Sequence, residues 1–416
     1  MKRKAVSGIM LILLSISMLT LAFNIQLVKA EPRTWTVDDD GPADFHTIQE
    51  AINVASPGDV IYVKEGIYYE NVIVNKAVSL IGENKLTTTI DGNMTGTVVA
   101  ITADNVAIRG FTIRNGGGIY AGISFSSDGN NLTNNIMSNN WCGISLEHYS
   151  AYNVIADNSI MNNLNGISGE LWSDSEIIGN TLKDNLLGIW IGPYSSRNTI
   201  AFNNIANHWS EGISMWQSSY NVIVGNNITD NNQGDHWAGI VVGFSSYNQF
   251  FHNNIANKGK QIDLQGEVIN TLDDGYPSGG NYWSDYTGLD FFSGPYQNET
   301  GSEGIGDTPY VIDAENQDNY PLVEPWSLKP SNPVEAIQEL IETVETWNLP
   351  KETESSLKAK LKAAVHMLDM GKEDGAIRKL GAFTNRAEML REKTLTNEQA
   401  DELVSEAQRI TDLING

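Results

Sequence analysis

The sequence predicts an all-β right-handed parallel β-helix followed by a small all-α four-helix domain. Three observations carry that expectation. First, a Gly-Ile phrase opens six consecutive units at Gly122, Gly143, Gly166, Gly188, Gly212 and Gly239, spaced 21, 23, 22, 24 and 27 residues apart. A period of this size marks a solenoid, in which each unit buries its apolar side only against its neighbours. Second, each unit continues with a polar turn and an Asn-x-Ile-x-x-Asn-x-Ile pattern, of which Asn153/Asn158, Asn198/Asn203, Asn221/Asn226 and Asn248/Asn253 keep one register. Third, the composition changes at Pro333, where glycine becomes rare and helix formers dominate.

In chain order, residues 1–30 read as a signal peptide. Lys2, Arg3 and Lys4 precede the mostly apolar run Ile9 to Phe23, and Val28-Lys29-Ala30 supplies small residues at a cleavage site. A retained N-terminal anchor is the alternative. No later stretch reaches the roughly 20 apolar residues of a membrane span. Residues 31–323 form the β-helix. Its first part holds a helical segment near Thr47 to Ala55, which is expected to cover the open end of the stack, since an uncovered end exposes core and unpaired strand edges. Irregular coils follow at 78–82, 88–92, 98–102 and 106–115.

Within the repeats, side chains alternate between faces. Ile123, Ile144, Ile167, Ile189, Ile213 and Ile240 are expected inside, as are Phe125, Leu146, Ile191, Met215 and Val242. Asparagine tolerates left-handed backbone and bonds neighbouring backbone groups, so the Asn columns are expected to form ladders. Around Gly279 the pattern gives way to an irregular end, and 324–333 is a Pro-rich linker. Residues 334–416 carry four helical segments at 334–347, 352–369, 373–392 and 397–414. Leu357, Leu361, Ala364, Val365 and Leu368 share one face of the second, and Thr396 with Gln399 forms a capping box before the fourth.

Charge narrows the partners. Residues 31–333 hold 11 Lys plus Arg against 35 Asp plus Glu. Such a surface repels phosphate backbones and argues against nucleic acid. The lone cysteine, Cys142, permits no internal disulfide, so the core itself must stabilise the chain.

Two terminal phrases, ADFHTIQEAINVASPGDVIYVKEGIYYENVIV and GNYWSDYTG with GIGDTPYVID, frame the repeats. With them, the region resembles the right-handed β-helix proteins of the pectin-lyase-like superfamily, and among these the NosD-type surface and periplasmic group. The stretches LIETVETWNLPKETESSLKAKLKAAVHML and GAIRKLGAFTNRAEMLREKTLTNEQADELVSEAQ resemble the FIMAH domain of secreted microbial proteins. The first resemblance implies an accessory role in maturing a copper site. The scattered His46, His148, His208, His236, His252 and His366 do not supply the clustered soft ligands copper needs. Relatives carry an Asp-rich run near the C-terminal end. Here FFSGPYQNETGSE interrupts it and leaves Asp290 and Asp307 as candidate ligands for calcium.

The outward columns offer the remaining chemistry. Glu147 and Glu170 each follow the repeat Gly by four residues on successive coils. Stacking brings such carboxylates within roughly 5–7 Å, which suits a catalytic acid pair, a cation site or plain surface charge. Tyr149, Trp172 and Tyr194 fall six residues after the repeat Gly on three consecutive coils, and Trp190 and Trp216 fall at outward strand positions. Trp141, Trp209 and Trp237 precede the Gly. Aromatic rows are not required by a β-helix core, and flat rings beside Glu, Ser and Asn suit sugars. Asp235-His236 is a lone acid–His neighbour in the longest coil. The lyase and polygalacturonase motifs of this architecture are absent. The expectation is a secreted or cell-surface protein that binds a polysaccharide or cell-envelope glycan without catalysis. The alternatives are a polysaccharide hydrolase or lyase, and a metal accessory protein.

Overall fold

A computed structural model describes residues 31–416 except 148, 235–237, 328–331, 348 and 416. The proposed signal segment 1–30, His148 and the Asp235-His236-Trp237 group therefore lie outside the described residues. Two compact units divide the chain between Trp326 and Ser327.

The first unit is a parallel β-helix. Three parallel sheets of ten, nine and ten strands run its length, and each coil contributes one strand to each sheet. The nine-stranded sheet contains the Gly-Ile phrases and is called the wall below. Its strands Ala121–Phe125, Cys142–Leu146, Asn165–Gly169, Leu187–Ile191, Ile213–Trp216 and Ala238–Gly243 stack in register, with Ile123, Ile144, Ile167, Ile189, Ile213 and Ile240 in one column. All six isoleucines are fully buried, as are Phe125, Ile191, Met215 and Val242. The repeat glycine has a steric cause. A Cβ on Gly143 would sit 2.7 Å from the Gly166 carbonyl oxygen of the next coil.

Three side-chain ladders hold the coils in register. At the start of the first sheet the backbone N–H of Asn130 donates to Asn153 Oδ1. The same bond passes through Ser175, Asn198, Asn221, Asn248 and Asn270. A second ladder links Asn135, Asn158, Asn180, Asn203, Asn226, Asn253 and Asn281. The third joins Asn140, Asn163 and Asn185, then His208, Asn231 and Asn257. These amides are buried and multiply bonded, which is why they are structural.

Both ends are closed. The helix Ile48–Val54, capped by Thr47, places Ile48, Ala51 and Ile52 in the core, as the sequence led us to expect. At the other end a hairpin pairs Tyr310–Val311 with Gln317–Asp318. Asn316 and Asp318 accept the last donors of the first two ladders, from Asn270 and Asn281. Asp318 also accepts from Trp283 Nε1 at 2.9 Å. Trp326 stacks on His252 at 5.0 Å and exchanges two hydrogen bonds with Asn254.

The second unit consists of the helices Pro333–Thr346, Lys351–Asp369, Glu373–Leu390 and Asn397–Asn415. Leu340, Leu357, Leu361, Leu380, Phe383, Leu403 and Ile410 form its core. The capping box is present: Thr396 N–H donates to Gln399 Oε1, and Gln399 N–H donates to Thr396 Oγ1.

Candidate functional site

The outer face of the wall carries two alternating outward columns. One runs Ser145, Ser168, Trp190, Ser214 and Val241, as the strand register fixes. The other lies one residue beyond the inward Leu146–Gly169–Ile191 column and contains Glu147, Glu170, Gly192 and Trp216. The columns meet in an open cleft of about 330 Å³ lined by Ser145, Glu147, Ser168, Gly169, Glu170 and Trp190. Its floor includes the backbone of Gly169, and Gly192 on the next coil carries no side chain to displace Trp190 or Glu170. A Cβ on Gly192 would meet Trp190 Cη2 at 2.7 Å and Glu170 Cγ at 2.9 Å, so the indole and the acid converge over that glycine. Both carboxylates are exposed and Trp190 is half-buried. The structure therefore brings Glu147, Glu170 and Trp190 together. Trp216, also half-buried, lies farther along the wall and packs edge-on against Phe244 at 5.1 Å.

Tyr149 and Tyr194 project from the turn that leaves the wall, at 77% and 72% exposure. Trp172 does not join them. It is fully buried, which overturns the expectation that it points outward. The cause is register. Bridges align Ala151 with Ser173 and Ser173 with Ser196, so the partner of Tyr149 and Tyr194 is Leu171. Trp172 instead occupies the inward column of Ser150, Ser195, Ser218 and Ser245. Gly169 opens the space it fills: a Cβ there would lie 3.0 Å from Trp172 Cδ1. The substitution leaves Ser150 Oγ, Trp172 Nε1 and Ser195 Oγ without hydrogen-bond partners.

A second outward column in the same turn was not singled out from sequence. It contains Tyr152, Asp174, Arg197, Tyr220 and Tyr247. Tyr220 and Tyr247 stack at 5.3 Å with 12° between their planes. Arg197 holds Asp174 through two 2.7 Å bonds, and that guanidinium keeps the Asp174 carboxyl below its usual range. The signal was available: each member immediately precedes the ladder residue, as in Ala-Tyr-Asn, Ser-Tyr-Asn and Ser-Tyr-Asn.

Asp290 and Asp307 serve the backbone. Asp290 accepts from Ser302 Oγ and from the N–H groups of Glu303 and Gly304. Asp307 accepts from the N–H groups of Phe291 and Phe292. The interrupting loop is thus folded around these two carboxylates. Among the described residues, the group of His, Cys, Asp or Glu placed to share an ion is Asp38, Asp39 and Asp40, and neither Asp290 nor Asp307 belongs to it.

Residues 52–216 and 192–288, together more than half of the chain, match the family described as periplasmic copper-binding protein (NosD). Residues 334–412 match the FIMAH domain. A probable pectinesterase/pectinesterase inhibitor 17 of Arabidopsis thaliana is 40% identical over 94 residues, covering 20% of this chain and 18% of that protein. The chain thus spans less than a fifth of that relative's length. An alginate lyase from Paenibacillus sp. str. FPU-7 superposes with a TM-score of 0.46 at 15% identity, over 60% of this chain and 97% of that one. XylC in complex with xylose gives 0.46 at 12% identity, over 65% and 73%. A pectin methylesterase in complex with hexasaccharide VII gives 0.35 at 12% identity, over 61% and 92%.

The described residues do not fit copper. Soft-metal sites gather imidazole, thiolate or thioether groups, whereas Asp38–Asp40 offer only carboxylate oxygens. Burial pushes the Cys142 thiol up to about 11, so it is held protonated beneath Ser168. His208 is buried within a ladder, its Nδ1 taken by the Asn185 N–H.

Proposed function

This chain belongs to the NosD family, and we propose that it works outside the cytoplasm as a non-catalytic binder of polysaccharide or cell-envelope glycan. Glu31 then begins the mature protein, 324–333 is a linker and 334–416 an accessory domain. The family description as periplasmic and the leader-like first thirty residues support the location. The single observation that carries the binding role is the cleft in which Trp190 meets Glu147, Glu170 and the Ser145 and Ser168 hydroxyls. A sugar has apolar C–H faces and a rim of hydroxyls. Trp190 offers a flat apolar contact, while the carboxylates accept from the rim hydroxyls and the serine hydroxyls accept from or donate to them. Trp216, Tyr149 and Tyr194 extend the contact along and beside the wall. Trp172 contributes only by shaping the floor from within.

The test is a glycan array probed with the wild-type chain and with Trp190→Ala and Trp216→Ala. Wild-type binding that both substitutions weaken is expected. A wild-type protein that retains no glycan sinks the reading.

The shared cleft of Glu147 and Glu170 favours a second reading, a polysaccharide hydrolase with these two acids as its pair. Release of reducing ends from a polysaccharide panel, lost in Glu170→Gln, would establish it. Silence across the panel with binding retained leaves the binding role.

A further inference from the structure

At the corner entering the wall, the left-handed backbone positions are Asn139, Asn162, Asp184, Asn207 and Asp230. These residue types adopt that conformation at little cost. At the corner leaving the wall, the corresponding positions are Tyr149, Leu171, Tyr194, Gln217 and Phe244, with φ between 50° and 64°. Bulky residues are strained there. The solenoid needs the turn but does not need a ring in it. Nor do these rings serve the core, since Tyr149, Tyr194 and Phe244 are 77%, 72% and 56% exposed.

The aromatic residues recur on every second coil. Leu171 separates Tyr149 from Tyr194, and Gln217 separates Tyr194 from Phe244. Coils stack at about 4.8 Å, so successive rings repeat at about 9.6 Å along the axis. That is close to the disaccharide repeat of an extended β-1,4-linked chain, in which every second sugar presents the same face. The ridge joins the wall through the Trp216–Phe244 contact. Its charge is also informative. The nearby cation, Arg197, is committed to Asp174, and the adjoining cleft presents Glu147 and Glu170.

We infer that this ridge binds an uncharged, extended β-1,4-linked polysaccharide laid along the solenoid axis, with alternate sugars stacked on Tyr149, Tyr194 and Phe244. The inference rests on the reading of the wall as a glycan surface, and adds linkage, charge and direction to it. Uronate chains are disfavoured by like charge, and short or bent glycans reach only one ring.

Calorimetry on the full chain tests it with cello-, manno- and chito-oligosaccharides of two to six sugars and with hexagalacturonate. The hexasaccharide of at least one neutral series should bind at least tenfold tighter than its disaccharide. Tyr194→Ala should weaken the hexasaccharide about tenfold and leave the disaccharide within twofold. Hexagalacturonate should bind at least tenfold more weakly. The variant's unfolding midpoint, matched to wild type, confirms that it folds. If affinity is independent of length while Trp190→Ala abolishes it, the ridge inference falls and the cleft reading stands. If hexagalacturonate binds best, the charge and linkage assignment falls. If none of these ligands binds but the array finds another glycan, the ridge inference alone is overturned. An empty array overturns both.

Discussion

The two corners that flank the wall are built on the same backbone conformation and filled oppositely. Entering the wall, Asn139, Asn162, Asp184, Asn207 and Asp230 take the left-handed positions, each followed by a member of the third ladder. Leaving it, Tyr149, Tyr194 and Phe244 take them, each followed by a buried serine. The first corner is chemically matched to its geometry. The second accepts strain to hold rings in solvent. Where a repeat protein departs from the residue its backbone prefers, and the departing side chain is not packed, the cause lies outside the fold.

Four measurements bear on that contrast. The largest effect is expected inside the second corner. Trp172→Ala should cost about 3–5 kcal/mol in urea unfolding, because it empties a fully buried site. Trp190→Ala, on the outer face of the next coil, should cost under about 1 kcal/mol. Equal losses would show that Trp190 is also core.

The next concerns the first corner, where His208 replaces asparagine. Burial pushes the His208 imidazole down to about 4. An unfolded histidine titrates near 6.5, so between these values the unfolded chain binds more protons. Its contribution is therefore full above pH 6.5 and lost as pH falls toward 4, by about 3 kcal/mol. Protonation would also remove the Nδ1 acceptor from the Asn185 N–H. His208→Asn should flatten this slope. An unchanged pH profile would place the acid sensitivity elsewhere.

Asn203→Ala should cost about 2 kcal/mol. It strands the Asn180 N–H in the interior and takes one donor each from the Ile177 carbonyl and from Asn226 Oδ1. The smallest effect is on the ridge. Tyr194→Asn should raise stability by about 0.5 kcal/mol while weakening long-glycan binding, since asparagine relieves the strain that tyrosine carries. A destabilised variant would mean that the ring supports the turn after all.

Much of this was legible from residue order. The Ile column, the Asn ladders, the cap helix and the four C-terminal helices follow from period and punctuation. Counting from the repeat glycine puts Trp172 outside, because the Gly166 coil is one residue shorter to the bridge than the Gly143 coil. Counting back three from the ladder residue aligns Ser150, Trp172, Ser195, Ser218 and Ser245 and puts it inside. The same anchor reveals Tyr152, Tyr220 and Tyr247. The roles of Asn316 and Asp318 were not legible, since their partners lie 46 and 37 residues away and no repeat predicts that distance. The cleft needed three dimensions, because Trp190 and Glu170 converge only where Gly192 lacks a side chain.

The three ladders share one polarity: each N–H reaches to the side chain of the following coil, and a terminal hairpin receives two of the last donors. A residue inserted within a turn bulges outward and leaves the ladders intact, as coil spacings of 21 to 27 residues show, whereas duplicating a whole coil supplies its own donor and acceptor at every corner. The stack can therefore lengthen or shorten along its axis only in whole-coil steps. Any polymer-measuring function on the outer surface would change in the same increments, like a ruler that can be extended only by adding marked divisions.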